Sequence, residues 1–195
     1  AIDGVAEVGM SSRELKPQEL AQLDQIVIAH DALALIVNTI NPIDRLSSEQ
    51  IRAIFTGTIR SWGEVGGLPR PIVVVSREAG SGTFGAFEEL VMGGRQIAAR
   101  ALVQDSSGSV RQMVAADPAA IGYISLGLVD VTVRAVALDG VAASESAIDA
   151  GRYPLVRPFL FVIAGTGHAD ARAFIDWVTG PEGRELTRRE GILPP

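Results

Sequence analysis

Pro71-Ile72-Val73-Val74-Val75-Ser76-Arg77-Glu78-Ala79-Gly80-Ser81-Gly82-Thr83, continued by Phe84-Gly85-Ala86-Phe87-Glu88-Glu89-Leu90-Val91-Met92, is the stretch on which the reading of this chain turns. Its β-branched run predicts a buried strand. A loop with one arginine, two hydroxyls and two glycines follows, and apolar residues at helical spacing come directly after it. Strand, loop and helix in that order make an anion cradle. Glycines let the backbone approach a ligand, and the first helical turn offers N–H donors and the positive end of its dipole. Arg77 adds a planar fork of donors suited to a tetrahedral oxyanion, and Ser81 and Thr83 add hydroxyls.

Other readings of the same letters compete. Gly80-x-Gly82-x-x-Gly85, with Asp105 20 residues beyond Gly85, matches the dinucleotide pattern. Four residues separate Val75 from Gly80, however, where that pattern closes a tight turn directly off the strand. A nucleotide-hydrolase phosphate loop requires lysine where Ala86 stands. The plain structural alternative is a Gly-Ser turn beside a solvated arginine.

At 195 residues, 47% hydrophobic and 21% charged, the chain is long enough for one substantial core or two small lobes and contains no apolar run of membrane-spanning length. A net charge of −6, with no block of Lys or Arg, counts against a nucleic-acid surface but not against a local anion site. Cysteine is absent, which excludes disulfides and thiolate chemistry. His30 and His168 are the only histidines, too little for a metal cluster or a Ser-His-Asp relay, so neither an enzyme nor a cofactor is expected. Ala1-Ile2-Asp3-Gly4 reads as a start in mid-element rather than a native beginning, and no signal peptide is read within the chain.

Taken in order, Val5–Met10 reads as a short strand ending in Ser11-Ser12-Arg13, followed by a helix from Pro17 through about Leu23. Ile26–Ala29 and Ala32–Val37 read as buried strand, with His30-Asp31 at a bend. Ser47 and Gln50 form a capping box for a helix whose face is Ile51, Ile54 and Phe55, ended by Thr56-Gly57. Trp62 reads as a packing anchor. Gly93-Gly94 stops the central helix, and Asp105–Ser109 opens another with Val110, Met113 and Val114 on its apolar face. Ile121–Leu126 is a strand, Val131–Leu138 is extended, and Gly140–Gly151 is loop. Phe159–Ile163 is a second long strand. Ala169–Val178 is a helix with Ala173, Phe174 and Trp177 as its apolar face, and a last helical piece covers Glu182–Arg189. Strands alternating with helices mean an α/β fold.

The long strands Ile26–Val37 and Phe159–Ile163 bracket a block with its own strands and helices. That pattern predicts two lobes joined by a double hinge, with the ligand in a cleft at strand ends. The lobes are residues 1–37 with 153–195, and an inserted lobe of 38–152.

These residues resemble a known family. Gly9-Met10-Ser11-Ser12-Arg13-Glu14-Leu15, Phe55-Thr56-Gly57 with Trp62, Arg77 with Ser81-Gly82-Thr83, Ala120–Ser125 and Tyr153-Pro154-Leu155 are similar, in this order, to the phosphate-binding proteins of bacterial Pst ABC transporters. Those proteins belong to the periplasmic-binding-protein superfamily with Venus-flytrap lobes. The resemblance implies that Arg77, Ser81, Gly82 and Thr83 are phosphate ligands from the inserted lobe, with Ser11 and Ser12 facing phosphate from the other. It implies inorganic phosphate as ligand, the membrane permease of an ABC importer as partner, and an extracytoplasmic or periplasmic location.

Two departures qualify these expectations. Some relatives carry aspartate where Ser12 stands, and a carboxylate repels fully ionised sulfate while serine does not. Relatives also begin with a strand, helix, strand and helix ahead of Gly9, so the first lobe reads as truncated at its N-terminus. Either the chain is part of a longer protein or a second chain completes the lobe. The alternatives to a transport receptor are a phosphate-sensing or protein-interaction module, and a fragment that does not bind.

Overall fold

The computed structural model of the chain describes residues 5–165, 168–189 and 192–194. The reading of residues 1–4 lies outside them. In chain order the elements are β1 (Gly9–Ser11), α1 (Pro17–Leu20), β2 (Leu23–Asn38), β3 (Arg45–Leu46), α2 (Ser48–Thr56), β4 (Val73–Arg77), α3 (Gly82–Phe87), β5 (Leu102–Gln104), α4 (Ser107–Ala116), β6 (Ala120–Ser125), β7 (Val133–Ala135), β8 (Ala137–Leu138), α5 (Glu145–Asp149), β9 (Val156–Ala164), α6 (Ala169–Thr179) and α7 (Pro181–Arg189). The chain divides into two units. One runs to Asp31 and resumes at Arg157, and the other is the continuous block Ala32–Val156.

In the first unit β1 pairs antiparallel with β9, Gly9 opposite Val162 and Ser11 opposite Leu160. The strand expected over Val5–Met10 is thus confined to its end, and Ser11 lies within the strand rather than after it. Helix α1 stops at Leu20, short of the expected Leu23, because Leu23 starts β2 and packs with Leu15, Leu160 and Val162. Strand β2 is continuous through His30-Asp31, where a bend was expected. Asp31 is buried there, its carboxylate oxygen accepting from Arg157 Nε at 2.9 Å and Nη2 at 2.7 Å. The ion pair removes the cost of placing a charge inside a strand. His30 exchanges backbone hydrogen bonds with Leu193.

Helix α6 forms as expected, but its most buried residues are not the expected ones. Ala171 and Ile175 are buried, with Val178 packed beside them, whereas Phe174 and Trp177 are each 48% exposed. Ile175 and Val178 pack with Phe161 and Ile163 of β9 and Ile26 and Ile28 of β2, and the half-exposed Phe174 ring meets Phe161 at 5.6 Å, ring centre to ring centre.

In the second unit the sheet order is β2–β6–β4–β5, with β7 pairing the end of β2. Strand β6 is antiparallel to β2, Leu33 opposite Ser125 and Val37 opposite Ile121, and parallel to β4. Strands β4 and β5 are parallel, Arg77 opposite Gln104. The two ends of the unit meet: Leu33 N–H donates to the Leu155 carbonyl at 2.8 Å, and Tyr153 Oη donates to the Leu33 carbonyl at 2.7 Å. The capping box at α2 forms as read, Ser47 Oγ accepting from Gln50 N and Gln50 Oε1 from Ser47 N. Ile51, Ile54 and Phe55 are its buried face, and Gly57 ends it in the left-handed region at φ 81°. Trp62 is buried and donates Nε1–H to the Ala119 carbonyl at 2.9 Å, the packing role expected of it.

Two local expectations are corrected. Val131–Leu138 is split into β7 and β8 at Val136, whose N–H turns to the Leu35 carbonyl. The Gly140–Gly151 segment, expected as loop, contains α5, capped by Ser144 Oγ on Ala147 N, with Ala147 buried. Helix α4, capped by Ser106, lays Val110 and Val114 on β6, where the absent side chain of Gly122 makes room. A Cβ at Gly122 would lie 2.7 Å from Val110 Cγ1.

Candidate functional site

Strands β4 and β5 end side by side, and each feeds a helix. Loop 78–81 leads from β4 into α3, and Asp105-Ser106 leads from β5 into α4. The carboxyl ends of parallel strands are where α/β folds place their ligands, because helix N-termini and flexible loops converge there. The loop closes on itself through Ser81 N–H donating to the Glu78 carbonyl at 3.0 Å. Ser81 then caps α3, its Oγ accepting from Thr83 N at 3.2 Å and Phe84 N at 3.3 Å. Gly82 is the first residue of the helix, so its N–H falls outside the helical ladder, and it is exposed while Ser81 and Thr83 are buried.

The cradle rests on an aromatic floor. Phe87 of α3 stacks on Tyr123 of β6 and lies 4.6 Å from Phe55, ring centre to ring centre. Tyr123 Oη is 2.8 Å from Ser76 Oγ and accepts from Arg77 N at 3.3 Å. Burial pushes the Tyr123 phenol above its ordinary value, outweighing the hydrogen bond from Ser76, so the hydroxyl stays protonated and able to serve as donor as well as acceptor. One turn of π-helix, Glu88–Met92, continues α3 and buries Val91 and Met92 before Gly93 ends it.

The Arg77 side chain is only 11% exposed and is held on four acceptors. Nε donates to Glu78 Oε2 at 3.0 Å, Nη2 to Glu78 Oε1 at 2.9 Å and to the Asp105 carbonyl at 3.1 Å, and Nη1 to Ser107 Oγ at 3.1 Å. The Arg77 hydrogen bond holds the Glu78 carboxyl below the usual carboxylate range. Glu78, Ser107 and Tyr123 were not among the residues singled out from sequence. An acid directly after the arginine and a helix start after β5 were the signals that point to the first two.

Arg77, Ser81, Gly82 and Thr83 therefore lie on one strand-loop-helix of the second unit. Ser11 and Ser12 belong to the first unit. Ser11 Oγ donates to the Arg13 carbonyl at 3.0 Å, and with Ser12, Met10, Ile28, Phe159 and Leu160 it borders a concavity of about 300 Å³. The dinucleotide pattern fails on geometry: none of Gly80, Gly82 and Gly85 has positive φ, and a Cβ at Gly80 or Gly85 would meet nothing within 4 Å. Neither a tight glycine turn nor close helix packing calls for those glycines. Among the described residues there is no His, Cys, Asp or Glu group able to hold a metal, and no helix long and apolar enough to cross a membrane.

Known proteins align with this chain along nearly its whole length. A family model described as PBP superfamily domain matches residues 2–182. The phosphate-binding protein PstS of Bacillus subtilis is 27% identical over 98% of the chain, and that of Pseudomonas aeruginosa strain PAO1 is 30% identical over 98%. The chain spans about two thirds of these relatives, 65% of the first and 69% of the second. Among solved structures, a Clostridium perfringens substrate-binding protein with bound phosphate superposes with a TM-score of 0.91 at 39% identity, covering 100% of this chain and 82% of that one. An ABC-type phosphate transport receptor from Vibrio cholerae gives 0.90 at 34%, covering 99% and 82%. These are solute-binding proteins. Matched along its length in sequence and in backbone, the chain belongs to the PBP superfamily, among its PstS phosphate-binding proteins.

Proposed function

We propose that the chain captures inorganic phosphate outside the cytoplasm, in the periplasm or at the outer face of the membrane, and hands it to the permease of an ABC importer without transforming it. The observation that carries this reading is the Arg77 guanidinium, nearly buried at the end of β4, ahead of the capped start of α3. A fixed cation beside hydroxyls and outward N–H groups suits a tetrahedral oxyanion. In this reading Arg77 supplies the charge, Ser81 and Thr83 supply hydroxyl contacts, and Gly82 supplies a backbone donor. Ser11 and Ser12 are further proposed ligands. The inserted lobe, read as residues 38–152, lies inside the compact block Ala32–Val156 and carries Arg77.

Calorimetric titration of inorganic phosphate and then sulfate into the native chain and the Arg77→Ala variant tests the reading. Tight binding by the native chain, lost in a variant that still unfolds cooperatively, is the expected result. Equal affinity in both removes the assignment of Arg77. A folded native chain that binds neither ion overturns the function itself.

A further inference from the structure

Arginine has five N–H groups, and four of those on Arg77 are taken by Glu78, Asp105 and Ser107. One N–H remains, and it sits on Nη1, the nitrogen that Ser107 holds. The Glu78 carboxylate closes the Nε edge of the fork, which is the edge an oxyanion would otherwise approach with two oxygens. What Arg77 can offer a ligand is therefore a single end-on donor; its direction follows the tilt of the guanidinium plane about the Glu78 edge, and the partner of Nη1 sets that tilt. We propose that Ser107, at the first turn of α4, is the positioning residue that aims this remaining N–H at the oxyanion. The inference rests on the reading of Arg77 as a phosphate ligand.

The chemistry assigns Ser107 one direction of hydrogen bonding. A guanidinium only donates, so Ser107 Oγ accepts from Nη1 and keeps its own hydrogen to give elsewhere. Without the Oγ, the Nη1 end of the guanidinium loses its anchor, while Glu78 and the Asp105 carbonyl still hold the other side. The planar group can then tilt about its Glu78 edge at no cost to the core, because Ser107 is only partly buried and packs in neither core cluster of the unit.

The test uses the 195-residue chain with inorganic phosphate as probe and the variants Ser107→Ala, Ser107→Thr, Arg77→Lys and the Arg77→Lys/Ser107→Ala double variant. Ser107→Ala is expected to weaken phosphate binding about tenfold in a chain that still unfolds cooperatively, the scale of one misdirected hydrogen bond to a charged group. Ser107→Thr, which keeps the Oγ, restores binding. In the Arg77→Lys background Ser107→Ala costs nothing further, because an ammonium has no second nitrogen for Ser107 to hold. Native affinity in Ser107→Ala, or the same loss in both backgrounds, overturns the inference. If Arg77→Lys and Arg77→Ala both bind as the native chain does, the function of Arg77 proposed above fails instead. A ligand-free readout separates the two: the Arg77 side-chain N–H signals in NMR should exchange with water faster in Ser107→Ala, and unchanged exchange refutes the positioning role whatever phosphate does.

Discussion

Tyr123 lies flat against Phe87, ring planes 3° apart and centroids at 3.9 Å, and the same Tyr123 hydroxyl receives the Arg77 backbone N–H. One side chain thus belongs both to the core under α3 and to the strand end that carries the cation. Tyr123→Phe keeps the stacking and deletes the hydroxyl, leaving Ser76 Oγ and Arg77 N–H without that partner. The expected cost is about 1–2 kcal/mol in urea unfolding, together with weaker phosphate binding. A variant with native stability and native affinity would show that the two roles are not linked.

Gly122 is predicted to be irreplaceable by packing rather than by backbone conformation. A Cβ there meets Val110 Cγ1 at 2.7 Å and Val114 Cγ2 at 3.3 Å, so α4 must lift from β6 to admit it. Gly122→Ala should destabilise the fold by about 1–3 kcal/mol, the usual cost of overpacking a filled core. Val110→Ala in the same chain should recover part of the loss, and failure to recover any would place the strain elsewhere.

The Asp31–Arg157 pair is nearly dry, its side chains 1% and 7% exposed, and Arg157 also lies over the Phe159 ring at 5.2 Å. Asp31→Ala takes two hydrogen bonds from a buried guanidinium and should cost about 3–5 kcal/mol. Replacing both with apolar residues of similar volume should cost less than either single change, since no charge is then left behind. Thermal unfolding of the three variants decides the order, and a double variant worse than both singles contradicts it.

Acid should weaken the fold through carboxylates that are paired in the folded state. The Arg13 side chain, and then the Lys16 backbone N–H, hold the Glu19 carboxyl down from 4.5 to about 2. A carboxylate depressed in the folded state contributes its stability above its unfolded value and loses it as pH falls. The contribution of Glu19 is therefore complete above pH 4.5 and drains away toward pH 2. Glu78, held down by Arg77, works in the same direction. Glu19→Gln should flatten the unfolding midpoint across that window, modestly, because the pair is solvated. An unchanged slope would mean the pair contributes nothing measurable.

Local signals were legible where one segment contains its own partner. The Ser47–Gln50 box, the Gly57 stop and the β4-loop-α3 cradle could all be read from adjacent residues, because caps and strand-to-helix switches are short-range. Strand β2 misled because Asp31 is neutralised by a residue 126 positions away, which no local window contains. Helix α6 was legible only in part: Phe174 does reach Phe161, but Ile175 is the residue that packs fully with Phe161 and Ile163, a ranking the larger rings of Phe174 and Trp177 concealed. An arginine at the end of β4 was legible, as was the acid next to it, but Asp105 and Ser107 were not, since they reach Arg77 only through the parallel pairing of β4 with β5.

The block from Ala32 to Val156 begins and ends on segments that hydrogen-bond each other, Leu33 to Leu155, and its core clusters draw on no residue outside it. Such a block is a graftable cassette. Its two ends leave from neighbouring positions, so a short peptide could close them into a free-standing protein, and a host sheet with two adjacent strands could accept them. Gene exchange could therefore trade the whole loop-bearing piece, with Arg77 and α3 on it, in one step and without rewriting the flanking sequence that receives it.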